Sequence, residues 1–220
     1  MSALEDGVLD DGPLVEPSQL IDLDGLDIAF DDTVLRPRPW TLAQSHWAAE
    51  LLPMLPEGPV LEVCAGVGHI GLAAVAGSDR DLVLADASER ACSFARRNAD
   101  AVRRSGSVEV RRARVEDLPH GHERFALLLA DPPWVRTAEV DRFPADPRFA
   151  IDGGDDGLAV ALECLDLAAR SLVPGGAAIL QLGTSEQAVS VARRLHDQDG
   201  PLHVREVRSH EPDGVLVLLA

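Results

Sequence analysis

From residue 40 onward, short apolar runs alternate with stretches of helical periodicity, and this alternation is the strongest constraint on the fold. Short apolar runs bounded by Gly, Pro or Asp are typical of buried strands, and the segments between them are amphipathic. Strands separated by helices form a parallel sheet that is covered on both faces. The last two runs are joined by a Pro-Asp-Gly turn, which adds one antiparallel strand. The sequence therefore predicts an α/β, doubly wound, mostly parallel seven-stranded sheet.

The boundaries of the elements follow from the same pattern. The predicted strands are 59–64, 81–86, 108–113, 125–131, 175–183, 202–209 and 214–220. The predicted helices are 41–55, 69–76, 88–104, 155–172 and 185–197. Ahead of them, apolar residues alternate around Asp24-Gly25, a dipeptide favoured in two-residue turns. A β-hairpin is therefore predicted over 19–30, before the sheet.

Charge is concentrated at the N-terminus. The formal net charge is -17, yet the first 32 residues hold ten acidic side chains and no basic one. We predict a flexible acidic leader over 1–18 and a single domain over 19–220. The acidic balance argues against binding driven by phosphate neutralisation. No apolar run is long enough to span a membrane, and the N-terminus is not a signal peptide, so a cytoplasmic protein is predicted.

Cysteine and histidine usage gives no indication of a metal site. The three cysteines are widely spaced, without a C-x-x-C pair, so neither a disulfide framework nor a zinc site is expected. The seven histidines are scattered along the chain, and we interpret them as surface groups or as residues behind the site. No metal is therefore predicted.

A glycine-rich loop follows the first predicted strand of the sheet. Gly66-x-Gly68-x-x-Gly71 lets the backbone approach a ligand closely, and ligands of open α/β sheets bind at these strand ends. Asp86 ends the next strand, where a carboxylate can accept hydrogen bonds from both ribose hydroxyls. The pattern fits a nicotinamide site and an S-adenosylmethionine site equally. A plain turn, with Asp86 as a helix N-cap, is the structural alternative.

A second motif, Asp131-Pro132-Pro133-Trp134, follows the fourth predicted strand and faces the same crevice. The NH₂ group of an amide or a nucleobase is a poor nucleophile because its lone pair is delocalised. The Asp131 carboxylate and the Pro132 carbonyl can accept its two N–H bonds, while Trp134 stacks on the planar group. Hydride transfer needs no such arrangement. The motif therefore favours transfer of an electrophilic group to a planar nitrogen.

With these residues in place, the chain resembles class I S-adenosylmethionine-dependent methyltransferases, and more narrowly the HemK-type protein glutamine methyltransferases. Three separated motifs carry the resemblance, which covers roughly residues 20–220. They are Pro37-Arg38-Pro39-Trp40-Thr41, the DPPW sequence at 131–134, and Gly153-Gly154-Asp155-Asp156-Gly157-Leu158 with the later Leu172-Val173-Pro174-Gly175-Gly176.

The resemblance implies an enzyme with S-adenosyl-L-methionine as cofactor, direct in-line methyl transfer to nitrogen, and a set of residue roles. The loop residues Cys64, Ala65, Gly66 and Gly68 would line the methionine part of the cofactor, with Glu62 beneath them. Asp86 would hold the ribose, and Val115, with Glu116 near it, would lie by the adenine. Asp131, Pro132, Pro133 and Trp134 would hold the acceptor nitrogen, and Arg38 and Thr41 would close the site from above.

Several positions depart from the family pattern. Asp131 replaces the usual Asn, and Arg114 aligns with a common acidic residue, so that Glu116 or Asp117 is expected at the adenine. The helical N-terminal domain that docks release factors is absent from the pattern. The resemblance then implies a protein substrate, chosen by a small activator or recognition subunit, and no membrane partner.

Two alternatives to a protein glutamine acceptor stay open. DPPW or DPPY also serves nucleobase amino methyltransferases of adenine and guanine, and one arginine-rich stretch supports a nucleic acid acceptor. That stretch contains Arg96, Arg97, Arg103, Arg104, Arg111, Arg112 and Arg114. The other alternative is a non-catalytic cofactor-binding protein whose acidic leader engages a partner.

Overall fold

The computed structural model describes residues 18–102, 104–119, 122–210 and 213–220. All of the predicted acidic leader except Ser18 lies outside these residues. Among the described residues, no helix is both long enough and apolar enough to cross a membrane.

A seven-stranded sheet lies at the centre of the domain, in the order β5-β4-β3-β6-β7-β9-β8. Its strands are β3 (Val60–Val63), β4 (Leu82–Asp86), β5 (Val108–Arg112), β6 (Phe125–Ala130), β7 (Leu172–Leu182), β8 (Val204–Ser209) and β9 (Val215–Leu219). β9 runs antiparallel to both of its neighbours, β7 and β8, and the other strand pairs of the sheet are parallel. The order reverses at β3, which pairs with both β4 and β6, and ligand sites of doubly wound sheets lie at this point. The predicted fold class is confirmed.

Helices cover both faces of the sheet. They are α1 (Leu42–Leu51), α2 (His69–Ala74), α3 (Glu89–Ala101), α5 (Ala159–Ser171) and α6 (Ser185–Gln198), while the short helix α4 (Arg148–Ile151) packs in a separate small cluster with Val135 and Val140. Side chains along β6 alternate between two cores, because successive strand residues point to opposite faces. Leu127 and Leu129 join the core under α1, α2 and α3, and Leu128 joins the core under α5 and α6.

The predicted hairpin is confirmed as an antiparallel pair, β1 (Gln19–Leu23) and β2 (Leu26–Phe30). Asp24 and Gly25 form its turn with φ of 53° and 78°, the left-handed values that such turns require. Asn98 of α3 fixes the hairpin, since it accepts from the Ala29 N–H at 2.8 Å and donates to the Ala29 carbonyl at 3.1 Å. Asn98 also donates to the Val67 carbonyl at 3.0 Å, so it links the hairpin to the loop that follows β3.

The structure corrects the prediction for the segment after β6. The stretch predicted as a long loop contains a 3₁₀ turn at Thr137–Arg142 and the short helix α4. The following helix begins at Ala159 and not at 155, because Gly154 and Gly157 adopt positive φ values of 88° and 75°. We call residues 134–154 the lid segment.

Candidate active site

A cavity of about 580 Å³ opens beyond the carboxyl ends of β3, β4 and β6. It brings together most of the site residues that the sequence predicts. Those lining it are Arg38, Thr41, Cys64, Ala65, Gly66, Asp86, Val115, Asp131, Pro132, Pro133 and Trp134. Glu62, Gly68 and Glu116 are not among the lining residues. The glycine loop and the DPPW motif therefore share one cavity, as the sequence predicts.

The glycine loop turns sharply after β3. Cys64, Gly66 and Gly68 all have positive φ, at 54°, 52° and 81°. No atom lies within 4 Å of the position that a Cβ of Gly66 would occupy, so the backbone is open to a ligand there. A Cβ on Gly68 would lie 2.7 Å from a methyl group of Leu84. Gly66 thus offers space for a ligand, whereas Gly68 permits close packing of the loop on the sheet.

Asp86 lies at the end of β4, and its carboxylate holds the glycine loop. One oxygen accepts from the Gly66 N–H at 2.7 Å, and the other accepts from the Ser88 N–H at 2.8 Å. Ser88 is the N-cap of α3, since its hydroxyl accepts from Ala91 N–H. The N-cap role considered for Asp86 is therefore filled by Ser88. Each Asp86 oxygen keeps lone pairs for ligand hydroxyls, and burial raises the pKa of Asp86.

Glu62 lies on β3 beneath the loop and is 1% exposed. Its Oε2 accepts from the Gly71 N–H at 2.8 Å, and its buried Oε1 has no partner among the described residues. Burial raises the pKa of Glu62 to about 8, with the Gly71 hydrogen bond opposing this shift. Glu62 therefore supports the first turn of α2 and does not contact the cavity.

The DPPW motif presents two free hydrogen-bond acceptors to the cavity. Within the described residues, neither the Asp131 carboxylate nor the Pro132 carbonyl accepts a hydrogen bond. Asp131 is partly exposed to the cavity, and burial by the surrounding protein raises its pKa to about 7. The nearby positive charge of Arg38 acts in the opposite direction. These acceptors match the two N–H bonds of a planar NH₂ group.

Three glycines hold this motif in place: Gly153 of the lid segment, Gly157 just after it, and Gly183 just after β7. A Cβ on Gly153 would lie 2.6 Å from the Pro133 carbonyl, one on Gly157 would overlap the Trp134 carbonyl, and one on Gly183 would overlap the Trp134 ring. Gln187 of α6 also donates to the Trp134 carbonyl, at 3.0 Å. The Gly-Gly-x-x-Gly motif therefore positions Pro133 and Trp134 through close backbone packing.

The residues predicted to close the cavity form its roof. The Arg38 guanidinium pairs with Asp146 of the lid segment at 2.6 Å. The Thr41 hydroxyl donates to the Arg38 carbonyl at 2.7 Å. Residues 38–41 and the lid segment are thus joined across the top of the cavity.

At the end of the cavity next to β5, the lining residues differ in part from those predicted to lie by the adenine. Val115 and Leu118 line the cavity, and so does Glu163 of α5, whose pKa is raised by burial. Glu116 is half-exposed and pairs with Arg114 at 3.0 Å. Neither Glu116 nor the alternative, Asp117, is brought to the cavity; nothing in the sequence pattern of α5 distinguishes Glu163.

Cys64 lines the cavity but its thiol is not activated. The hydrogen bond with Cys164, together with burial, raises the pKa of the Cys64 thiol well above its usual range. A nucleophilic Cys needs a lowered pKa or an adjacent base. The geometry therefore disfavours a nucleophilic role for Cys64.

Sequence reasoning missed several lining residues. His69, interpreted as a surface group or one behind the site, is buried and lines the cavity. Phe143 and Phe149 of the lid segment line its mouth with 39% and 52% of their surface exposed. Because the lid segment has no periodic pattern, only the exposure of two large apolar side chains reveals it.

Three features of the cavity fit S-adenosylmethionine and a planar nitrogen acceptor. They are the open backbone at Gly66, the Asp86 carboxylate at the end of β4, where it can accept from ribose hydroxyls, and the free acceptors after β6. Fold and site together define a class I S-adenosylmethionine-dependent methyltransferase. Residues 45–188 match the model of the methyltransferase small domain, and the chain belongs to this family.

Curated relatives are similar over most of the chain. The release factor glutamine methyltransferase of Deinococcus radiodurans is 34% identical over 177 residues, covering 77% of this chain and 62% of the relative. The ribosomal protein uL3 glutamine methyltransferase of Francisella tularensis is 27% identical over 172 residues, covering 75% and 54% respectively. The chain thus spans between about half and two thirds of these relatives.

A solved structure confirms the fold. The methyltransferase from Pyrococcus furiosus superposes with a TM-score of 0.63 at 20% identity. The superposition covers 90% of this chain and 89% of that chain.

Proposed function

We propose that this chain transfers a methyl group from S-adenosylmethionine to the side-chain amide nitrogen of a protein glutamine. The observation that carries the proposal is the pair of free acceptors, the Asp131 carboxylate and the Pro132 carbonyl, in the cavity that contains the glycine loop. The two relatives named above are glutamine methyltransferases of proteins, which supports an amide acceptor.

The cofactor would be held by the loop at Cys64, Ala65 and Gly66, with Asp86 at its ribose and Val115 at its adenine. When bound, it supplies a methyl group on a positively charged sulfur. Calorimetry with S-adenosylmethionine tests this placement. We expect wild type to bind and Asp86→Ala to bind at least about tenfold more weakly, because two hydrogen bonds to a charged acceptor are lost. Glu116→Ala, a change outside the cavity, serves as the matched control.

Asp131 and Pro132 would orient the acceptor nitrogen by accepting its N–H bonds, which leaves the nitrogen lone pair facing the cofactor. As the nitrogen–methyl bond forms and the methyl–sulfur bond breaks, the Asp131 carboxylate would stabilise the positive charge on the nitrogen. It would then accept the proton that the nitrogen loses, and S-adenosylhomocysteine would be the leaving group. Trp134 would pack on the plane of the amide group. The ion pair between Arg38 and Asp146 would exclude bulk water from the cavity at its roof. Each of these steps uses a group that lines the cavity.

The experiment is tritiated methyl transfer from S-adenosylmethionine into a cell extract, followed by separation of protein, nucleic acid and small molecules. We expect wild type to label the protein fraction and Asp131→Ala to label it about 100-fold less, because a misplaced nucleophile costs about this factor. Glu116→Ala should label like wild type. Absence of label from the protein fraction contradicts the proposal.

A nucleobase amino group is the second candidate. Trp40, Trp134, Phe143 and Phe149 all line the cavity, and aromatic side chains stack on unstacked bases. In the same experiment, label confined to RNA or DNA would establish this alternative.

A further inference from the structure

A series of hydrogen bonds links the start of α2 to the roof of the cavity. Nε2 of His69 lies 2.8 Å from the Thr41 hydroxyl oxygen, which lies 2.7 Å from the Arg38 carbonyl. The Arg38 guanidinium then pairs with Asp146 at 2.6 Å. The series therefore connects the first residue after the glycine loop to the lid segment.

The directions of these hydrogen bonds determine which ring nitrogen of His69 carries the hydrogen. The Arg38 carbonyl can only accept, so the single hydrogen of the Thr41 hydroxyl is donated to it. Nε2 of His69 must then donate to Thr41, which leaves Nδ1 without hydrogen; Nδ1 is buried and has no partner among the described residues. Burial lowers the pKa of His69 to about 4, so the ring is neutral near pH 7. His69 is thus a neutral donor to Thr41.

This donor anchors the backbone that carries Arg38. The Thr41 N–H also donates to the Arg38 carbonyl, at 3.1 Å, so residues 38–41 form a closed turn. The Arg38 side chain is 39% exposed, and the structure holds it at one end by this turn and at the other by Asp146. The position of its charge relative to Asp131 therefore depends on the contact between Thr41 and His69.

The surroundings of Asp131 show why that charge matters. Charged or titratable groups that line the cavity or act on Asp131 come from every neighbouring element: Arg36, Arg38, Glu62, Cys64, His69, Asp86, Arg114, Asp146, Glu163 and Asp213. Among them, Arg38 is the cation whose charge lowers the pKa of Asp131. If the Arg38 charge moved away from Asp131, no cation among these groups would oppose the effect of burial, and the pKa of Asp131 would rise further.

We propose that His69 is a positioning residue for the methyl transfer: through Thr41 it keeps the Arg38 charge beside the Asp131 carboxylate. The proposal rests on the function proposed above. It assigns no contact between His69 and the reacting atoms. Removing the contact between His69 and Thr41 is therefore expected to change the pH dependence of the reaction and to leave the affinity for the cofactor unchanged.

Two substitutions test the proposal, with His69→Gln as the conservative control. His69→Phe removes the donor and keeps the ring volume, Thr41→Val removes the acceptor, and His69→Gln keeps an amide N–H donor. In His69→Phe and Thr41→Val we expect kcat/KM at pH 6.5 to fall about fivefold, and kcat/KM at pH 8.5 to change less than about twofold, because Asp131 is ionised at the higher pH in every variant. The double variant should be no worse than either single one, because both remove one interaction.

A second readout does not depend on methyl transfer. Carboxyl-carbon NMR of the ligand-free protein, with Asp131 assigned by its loss in Asp131→Asn, gives the pKa of Asp131 directly. We expect this pKa to rise in His69→Phe and in Thr41→Val and to return toward the wild-type value in His69→Gln. If wild type transfers no methyl group, the proposed function fails, while this titration still tests the positioning role.

Several outcomes would overturn the proposal. One is an unchanged Asp131 titration in folded His69→Phe and Thr41→Val proteins. Another is an equal loss of kcat/KM at all pH values together with weaker S-adenosylmethionine binding by calorimetry, which would give His69 a structural role in the glycine loop. Should His69→Phe fail to fold, Thr41→Val carries the same test, since it leaves α2 unaltered.

Discussion

Replacing Asp131 by Asn separates the charge of this residue from its ability to accept hydrogen bonds. Asn keeps one carbonyl oxygen as acceptor but cannot ionise. Burial raises the pKa of Asp131 to about 7, so the carboxylate form predominates only above neutral pH. If the ionised form holds the acceptor nitrogen, wild-type activity must rise with pH in this range.

The size of the effect follows from this value. A group with a pKa of about 7 is roughly one tenth ionised at pH 6 and nine tenths ionised at pH 8. We therefore expect wild-type kcat/KM to rise about tenfold between these pH values. Asp131→Asn should show no rise and should fall below wild type by about tenfold at pH 8, because the charge that stabilises the developing cation is absent.

The assay is the initial rate of tritiated methyl transfer to the protein acceptor between pH 6 and pH 8.5. Glu116→Gln, which alters an exposed carboxylate outside the cavity, should keep the wild-type profile. Glu62→Gln controls for the other buried carboxyl near the site, since burial raises the pKa of Glu62 to about 8. A pH-independent wild type, or a rise that persists in Asp131→Asn, would refute this account of Asp131.

Three further predictions follow from packing and protonation. Gly183→Ala should displace the Trp134 ring and lower kcat/KM about tenfold in steady-state kinetics, whereas Gly200→Ala, where a Cβ meets open space, should not; equal kinetics would contradict the packing argument. Because burial raises the pKa of Glu62 to about 8, its contribution to stability is complete below its unfolded pKa and is lost as the pH rises through about 8. Urea unfolding should therefore show wild type losing about 4 kcal/mol relative to Glu62→Gln between pH 5 and pH 9, and parallel curves would contradict it. Iodoacetamide should alkylate Cys64 slowly at pH 7.5, as followed by mass spectrometry, because contact with Cys164 and burial raise the pKa of its thiol; rapid labelling would show an activated thiolate.

The sheet, the hairpin and the shared cavity could be predicted because local rules determine them. Alternation of strands and helices dictates a parallel sheet, Asp24-Gly25 dictates a tight turn, and both ligand motifs follow strands whose carboxyl ends meet. The position of the site could therefore be predicted from the glycine loop and the DPPW motif, which directly follow strands.

The lid segment, the burial of His69 and the exposure of Glu116 depend on tertiary packing, which leaves no periodic pattern in the sequence. The lid segment is held by contacts such as the ion pair from Asp146 to Arg38, which joins residues distant in sequence. His69 is buried and contacts Thr41, which lies 28 residues earlier in the chain. Glu116 is exposed and pairs with Arg114 outside the cavity. Such contacts are set by the whole fold and not by spacing along the chain.

The position of the transferred methyl group tests the central proposal most directly. Labelled acceptor is isolated after reaction with wild type and with Asp131→Ala, digested, and analysed by tandem mass spectrometry. The proposed function predicts a methyl group on the side-chain nitrogen of a glutamine in the wild-type reaction and its near absence with Asp131→Ala. A methyl group on a nucleobase, on another side chain, or at equal yield in both reactions would contradict it.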